Sequence, residues 1–368
     1  MRKKLIKIAG GGLAGLTTAI NLAKAGYQVE VYEKCSKIGE HYKENPQMLP
    51  NWFAQEDVVK ELEKCNIKIN WLNKIEEVEI RLNNQKIVFY GKDIPVGYTV
   101  LRGGEKSLEK DLAQQAKNLG VRIITNSPVK VNFPHSKIDI IATGFSEPLT
   151  IGYGRVYKGE FEPNKVKVFL NSSYTPTVGY CYFFPHNNNR ATIKISKKIT
   201  EKNINLKENF QRFQKDFFLQ EIKEENFLYE FSSLRSFKIL KSAKFGSSLL
   251  VGEAAGFQDE LFRFGIRYAI LSGYLAAKSI IEGLDYDFLW KRQFLKEFQK
   301  IAKVRKIFEN LKRKKFSVLP ENSKIYIEIE KFKRFWLSKK FGLLLRFPFF
   351  YQNLFFNKFF LQTFLKIF

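Results

Sequence analysis

The chain has 368 residues, enough for two packed domains, and a formal net charge of +25. Three widely separated cysteines, Cys35, Cys65 and Cys181, with no CxxC pair exclude a disulfide-stapled scaffold and fit a reducing cytoplasm; three histidines without an HExxH pattern leave a metal-centred mechanism no ligand set. The positive excess would attract phosphate-bearing partners, and no uninterrupted apolar run approaches the ~20 residues of a membrane-spanning helix.

The N-terminal stretch MRKKLIKIAGGGLAGLTTAINLA is interrupted by three glycines and has no A-x-A site, so it reads as strand, turn and helix rather than as a signal peptide. Leu5 to Ala9 is a short apolar run ending at Gly10. Leu16, Ile20, Leu22 and Ala23 then recur at helical spacing up to Gly26, which suits a C-cap, and Gln28 to Glu33 reads as a second strand. Between Ile67 and Tyr98 two strand-like segments, VEIRL and KIVFY, flank Asn83 and Asn84, residues that tolerate the positive φ of a hairpin turn. A second module therefore interrupts the first. A helix is expected from about Glu105 to Leu119, capped by Gly120, then a strand at VRIIT and a buried strand at IDIIATG ending in a glycine turn. From Gly154 to Ser196 strand signals dominate, with KVKVFL, GYCYFF and RATIKIS, the last two joined across Pro185 to Asn189. LLVGEAAG, Leu249 to Gly256, reads as a strand running into a small-residue turn. Ile266, Ala269, Ile270, Gly273, Ala276, Ala277 and Ile280 then form one apolar helical face.

The segment GGGLAG places Gly10, Gly12 and Gly15 in the GxGxxG positions, with Leu13 and Ala14 at the start of the helix. Glu33 lies twenty-three residues after Gly10, at the end of the second strand, and Lys34 follows it. Glycines let the backbone turn tightly and approach a pyrophosphate, the helix N-terminus supplies N–H donors, and the carboxylate accepts from ribose hydroxyls. A glycine turn that merely packs a helix on a sheet has no use for the carboxylate. The pattern predicts a dinucleotide site.

GEAAGF at Gly252 to Phe257, with Gly265, Ile266 and a helix ending in SGYLAA, resembles the second flavin motif of the FAD-dependent family that includes the aromatic hydroxylases and the geranylgeranyl reductases. That motif is normally GDAAGF, followed by a glycine-rich loop and a helix. The resemblance runs in patches over most of residues 4 to 282. It implies FAD as cofactor, with Gly252, Glu253, Gly256, Gly265 and Ile266 as further binding positions, Glu253 standing one methylene longer in the place of the family's acid. YTVLRGGEKSLEKDL, Tyr98 to Leu112, resembles the segment in which an arginine before a helix contacts the cofactor, which implies that role for Arg102. GYCYFFPHNNNRATIKI, Gly179 to Ile195, resembles the reductases' aromatic strand, Phe-Pro, polar turn and returning strand, which helps to wall the substrate cavity. Any one of Tyr180, Tyr182, Phe183 and Phe184 is equally suited to an ordinary core. Where those reductases carry Pro and GxG beside the flavin ring, this chain has Glu260 and Arg263-Phe264-Gly265, which would bring charged side chains to the ring and make Arg263 a candidate for charge pairing with the flavin. His41, His135 and His186 lie in loop-like stretches and read as solvent-exposed residues, so no catalytic residue is assigned. The flavin itself carries the hydride or electron transfer.

From Gly283 to Phe368 there are 20 Lys/Arg against 7 Asp/Glu, a local net of +13, and from Phe341 to Phe368 ten of 28 residues are phenylalanine. Such a segment either packs on the body or lies at a lipid interface, and its basic surplus favours the latter. The expected fold is α/β: a doubly wound, Rossmann-type FAD-binding domain interleaved with a mixed-sheet substrate domain, plus a helical C-terminal region. The expected layout assigns 1–66, 101–150 and 241–282 to the FAD-binding domain, 67–100 and 151–240 to the substrate domain, and 283–368 to the basic, aromatic C-terminal region. The resemblance implies an FAD-dependent oxidoreductase that reduces carbon–carbon double bonds of an isoprenoid or polyprenyl lipid. The alternatives are a flavin monooxygenase of an apolar substrate and a non-catalytic flavin- or lipid-binding protein; no halogenase-type WxWxIP segment is present. The electron donor stays open between NADPH and a ferredoxin-type protein. An anionic membrane surface is the expected partner besides the substrate, nucleic acid is not expected, and the expected location is cytoplasmic and peripheral on the membrane.

Overall fold

The computed structural model describes residues 4–338 apart from positions 43, 83–84, 131–136, 146, 171–172, 176–178, 187–188, 219–221 and 314–323. The expected turn at Asn83 and Asn84, His135, and the phenylalanine-rich stretch 341–368 lie outside the described residues.

Strand β1 (Leu5–Ala9) leads through the glycine turn into α1 (Leu13–Lys24) and back along β2 (Gln28–Tyr32), parallel to β1 with Ile8 opposite Val31. All residues of α1 from Leu13 to Leu22 are buried, as befits a helix enclosed by other elements rather than lying on a surface. Next come β3 (Asn45–Pro50), α2 (Val58–Glu63, capped by the Asp57 carboxylate) and β4 (Asn73–Ile75). The expected hairpin is β5 (Glu77–Leu82) with β6 (Gln85–Tyr90), and β7 (Gly97–Arg102) pairs with both β3 and β4 in a small sheet that the sequence did not announce. Helix α3 (Leu108–Asn118) begins at Leu108 rather than near Glu105, because Ser107 is its N-cap and Ser107 Oγ accepts from the Lys110 N–H.

After β8 (Arg122–Ile124) and β9 (Ile140–Ile141) the chain builds β10 (Thr150–Lys158), β11 (Lys165–Phe169), β12 (Cys181–Pro185), β13 (Arg190–Lys198), α4 (Leu206–Phe218) and β14 (Phe227–Arg235). The hairpin β15 (Lys244–Phe245) and β16 (Ser248–Leu250) then runs through a 3-10 turn, Gly252–Ala255, towards α5 (Ile266–Glu282). The C-terminal region supplies α6 (Tyr286–Trp290), α7 (Lys296–Arg313), β17 (Lys324–Glu328) and α8 (Ile329–Leu337). Among the described residues, no helix is long and apolar enough to cross a membrane.

The first sheet has the order β15-β16-β9-β1-β2-β8 and is parallel except for the β15/β16 hairpin. The second has the order β14-β10-β13-β12-β11-β5-β6-β17 and is mixed, β11/β5 and β6/β17 being its parallel pairs. The chain is thus a doubly wound α/β unit joined to a mixed sheet, and β17 adds one strand from a C-terminal region whose other described elements are helical. Helix α5 crosses α1 at close range: a Cβ on Gly273 would lie 2.3 Å from the Ala14 carbonyl oxygen, and Thr18 Oγ1 donates to the Gly273 carbonyl at 3.0 Å.

Side chains alternate across the second sheet, as strands require. On one face Tyr153, Tyr157, Phe169, Cys181, Phe183, Ile193 and Ile195 form a core with Phe210, Phe213 and Phe218 of α4. The opposite face is left to the candidate site. Several aromatics of the C-terminal region pack inward: Trp290 and Phe294 each lie with ring centroids 5.0 Å from Phe257, and Trp336 lies 5.8 Å from Phe53, whereas Phe288 of α6 is 59% exposed. Such pairs contribute about 0.5–1.5 kcal/mol each beyond their burial.

Candidate functional site

Gly10 closes β1 with φ +106°, and a Cβ there would lie 2.3 Å from the Ala142 carbonyl oxygen, so only glycine lets β1 turn here. Gly12 is the N-cap of α1; no side chain caps that end and its first turn carries no acid, so the N–H groups of Leu13 and Ala14 have no intrahelical partner. A Cβ on Gly12 would meet nothing within 4 Å, which marks an open cradle in front of the helix. Gly15 has a different task, packing α1 against Gly10, whose oxygen would be 2.1 Å from a Cβ. The Glu33 carboxylate is fixed at the end of β2 by the N–H groups of Gly11 at 2.8 Å and Cys35 at 2.9 Å.

The turn after β16 faces the same space. Gly252 donates its N–H to Ser272 Oγ at 2.9 Å, and Gly252 and Glu253 border the cavity, whereas Gly256 packs against the Lys238 backbone. Helix α5 likewise starts without a side-chain cap or first-turn acid at Gly265 and Ile266, both on the cavity wall. Two open helix N-termini therefore converge on one site, each favouring negative charge. Arg102, at the end of β7, is bonded to the buried Glu109, donates to Gln47 Oε1 at 3.2 Å and lies 4.3 Å from the Tyr42 ring centroid. Burial opposes its charge, but Glu109 and Tyr42, with Glu253 contributing less, raise its pKa above the usual guanidinium range. Glu109 was not singled out in the sequence, although an acid in the first turn behind a serine cap is a legible sign.

These parts enclose a cavity of about 500 Å³, within the usual range for small-molecule sites. Gly10, Gly12, Leu13, Ala14, Glu33, Lys34, Arg102, Gly252, Glu253, Gly265 and Ile266 all border it; Gly15 and Gly256 do not. Its other wall is the free face of the second sheet, with Val78, Ile80, Val166, Val168 and Phe184 at one end and Tyr180, Tyr182, Lys194, Ser196, Ser233 and Arg235 at the other. Phe183 points away into the α4 core. The sequence reading missed Lys194, Ser196, Ser233, Arg235 and Trp52 as cavity residues.

The loop between Gly256 and α5 is organised by Asp259, whose buried carboxylate accepts from the N–H groups of Leu261 at 2.9 Å, Phe262 at 2.7 Å and Phe264. This holds Arg263 at φ +66°, a conformation that glycine adopts freely and arginine rarely. Arg263 Nη1 donates to Ser196 Oγ at 2.9 Å, and the guanidinium stands 5.3 Å from the Tyr180 ring centroid. Burial pushes the Asp259 carboxyl up to about 6, against its backbone donors, and pushes the Arg263 guanidinium down to about 10. Of the two charged departures noted in the sequence, Arg263 reaches the cavity wall. Glu260 does not border it; the Glu260 carbonyl accepts from Arg305 of α7 at 2.9 Å.

The histidines also separate. His41 borders the cavity, but His186, expected at the surface, is 6% exposed, with Nε2 2.9 Å from Thr192 Oγ1 across the β12/β13 hairpin. Burial and Arg190 push its imidazole down to about 3, so it is neutral at ordinary pH.

Residues 8–56 match the family described as the NAD(P)-binding Rossmann-like domain. No curated protein matches the sequence. With its mixed second sheet, the chain shares its fold with solved structures of a reductase-like protein, a flavin-dependent halogenase and an oxygenase. It is similar to a geranylgeranyl bacteriochlorophyll reductase-like protein from Thermoplasma acidophilum, with TM-score 0.68 and 20% identity over 84% of this chain and 91% of that one. It is also similar to CmlS, a flavin-dependent halogenase, with TM-score 0.62 and 15% identity over 84% of this chain and 64% of that one. A third similar structure is 2-methyl-3-hydroxypyridine-5-carboxylic acid oxygenase, with TM-score 0.57 and 18% identity over 87% and 95%.

Proposed function

We propose that this chain is an FAD-dependent oxidoreductase that reduces carbon–carbon double bonds in an isoprenoid or polyprenyl lipid. The observation that carries the reading is a cavity that joins a glycine cradle and two uncapped helix N-termini to an aliphatic and aromatic sheet face. The cradle suits a dinucleotide: the open position at Gly12 and the N–H groups of Leu13 and Ala14 would hold the pyrophosphate, and Glu33 the ribose. Lys34, Arg102, Gly252, Glu253, Gly265 and Ile266 would border the rest of FAD. Bound there, FAD supplies hydride and electron transfer.

The chain's own residues set the conditions for that chemistry. Val78, Ile80, Val166 and Val168 exclude water and give a hydrocarbon chain an apolar wall. Arg263 and the N-terminus of α5 add positive potential to the same enclosed space. Burial holds the Tyr180 and Tyr182 hydroxyls above the usual phenol range, so both stay protonated.

The reductase-like neighbour supports the choice of reaction, and the aromatic strand Gly179 to Pro185 supports the choice of substrate wall. Lipid-surface contact through 341–368 is proposed from the sequence alone, as are the cytoplasmic location and a donor of either the NADPH or the ferredoxin type. Anaerobic incubation of the reduced protein with a polyprenyl lipid should yield a product two hydrogens heavier by mass spectrometry; unchanged double bonds would remove the reductase reading. The fold shared with the pyridinecarboxylic acid oxygenase favours a second reading, hydroxylation of an apolar substrate, in which product forms only when oxygen is present.

A further inference from the structure

Every open sheet has two outer strands, and most of those in this chain are too short or too interrupted to accept another strand. Strand β15 has two residues, β8 and β4 have three each, β3 carries Pro46 and Pro50, and β17 has five residues and begins at the exposed Lys324. Short strands, prolines and lysines are the usual protection of a sheet edge against pairing with another chain. Strand β14 has none of them. It runs for nine residues, Phe227–Arg235, without proline or lysine, and among the described residues it pairs only with β10. Its one bulge, opposite Val156 and Tyr157, lies at the first end and leaves Tyr229 to Arg235 in regular register.

The strand is also open on one face. Leu228, Glu230, Ser232 and Leu234 are exposed and alternate with half-buried residues, and the core beneath α4 takes side chains from β10 and β13 but none from β14. Leu228 and Leu234 are 40% and 43% exposed, much for leucines on a nine-residue strand. One acid, Glu230, and one base, Arg235, leave β14 neutral in a chain of net charge +25. Repulsion between copies of so basic a chain is least where the surface is neutral. The strand is, moreover, self-complementary in the antiparallel sense. With a two-fold axis at Phe231, that ring meets its own copy, Leu228 stands opposite Leu234, and Glu230 stands opposite Ser232, whose hydroxyl can donate to the carboxylate. No like charges meet.

We infer that β14 pairs antiparallel with β14 of a second copy of this chain, joining the two mixed sheets across a two-fold axis at Phe231. The pairing matches the outer backbone N–H and carbonyl groups of one strand with those of the other and covers Leu228 and Leu234 of each copy. Ser233 and Arg235 of the same strand border the cavity, so the pairing braces that wall from outside. The inference is independent of the oxidoreductase reading.

Sedimentation velocity of the full-length protein across the micromolar range tests it. The native protein should sediment as a dimer of the 43.1 kDa chain. Leu228→Lys with Leu234→Lys sets lysine against lysine on both sides of the axis and should weaken the dimer at least about a hundredfold. Leu228→Lys with Leu234→Glu sets lysine against glutamate at the same places and should bring the dimer back to within about tenfold of native. Both variants alter exposed side chains only, and circular dichroism checks the fold. Hydrogen exchange of the native protein, which needs no variant, should show the β14 amides slowing as concentration rises. A monomeric native protein, a dimer that the two lysines leave intact, or equal dissociation of the two double variants would overturn the inference. A monomer whose β14 amides are protected at every concentration would show that another part of the same chain covers the edge, and would overturn it as well.

Discussion

Arg263 Nη1 donates to Ser196 Oγ at 2.9 Å, and this bond ties the loop before α5 to the cavity face of β13. The tie holds an arginine in the left-handed conformation at φ +66°, which costs a non-glycine residue about 1–2 kcal/mol. Arg263→Gly should therefore relieve strain while losing the tie, whereas Arg263→Ala loses the tie and keeps the strain. Denaturant unfolding should find the alanine variant about 1 kcal/mol less stable than the glycine variant. Redox titration of the reconstituted protein should show a more negative flavin potential in both, by about 30 mV for each 1.4 kcal/mol of lost stabilisation. An unchanged potential would show that Arg263 has no electrostatic part in the site.

Gly10 and Gly12 separate folding from binding. A Cβ on Gly10 strikes the Ala142 carbonyl, while one on Gly12 enters open space before α1. Gly10→Ala should lower the melting temperature and flavin affinity together. Gly12→Val should leave melting of the flavin-free protein within a few degrees of native and weaken FAD by about tenfold or more. Native FAD affinity in Gly12→Val would place the pyrophosphate elsewhere.

Asp259 makes stability depend on pH with an unusual sign. Its carboxyl is pushed from an ordinary 3.8 up to about 6, so the folded chain holds this proton more tightly than the unfolded one. The resulting stabilisation is present below about pH 4 and is lost as pH rises to about 6, on the order of 3 kcal/mol in all. His186 acts in the opposite sense: its imidazole is pushed from 6.5 down to about 3, so its contribution grows as pH rises through that interval. Asp259→Asn should leave the histidine effect uncovered, giving a steeper rise of stability between about pH 4 and pH 6 than in the native chain. Parallel curves from urea unfolding would contradict the assignment.

The buried Arg267 on α5 joins the Glu61 carboxylate of α2, at 2.5 and 2.7 Å, to Glu297 of α7 at 3.1 Å. Burial opposes the charge, yet Glu297 and Glu61 raise it well above the usual guanidinium range. Glu61→Ala leaves that charge half-paired and should cost about 3–5 kcal/mol, whereas replacing all three groups, Arg267→Met with Glu61→Met and Glu297→Met, should cost less. Equal losses in chemical unfolding would mean that packing, rather than charge, holds the three helices together.

The β1-α1-β2 unit was legible because the apolar period changes from two to nearly four across a glycine turn, with Glu33 at the required distance. The β3-β7-β4 sheet was not, since Asn45–Pro50 carries two prolines and no alternation. Lys194 and Ser196 alternate with Ile193 and Ile195, a pattern that reads as a strand with a solvated face; the sheet order makes that face a cavity wall. His186 was misread because its partner Thr192 lies across a hairpin, a contact that local composition does not encode. Arg263 was noticed as a departure from glycine, but its link to Ser196 depends on two distant segments meeting.

The central claim, that this cavity holds FAD and passes hydride to an alkene, is tested most directly by absorbance of the FAD-reconstituted, desalted protein. The account predicts one flavin per chain, a spectrum bleached by dithionite without oxygen, and recovery of the oxidised spectrum when a polyprenyl lipid is added anaerobically. A protein that leaves reconstitution colourless would contradict it.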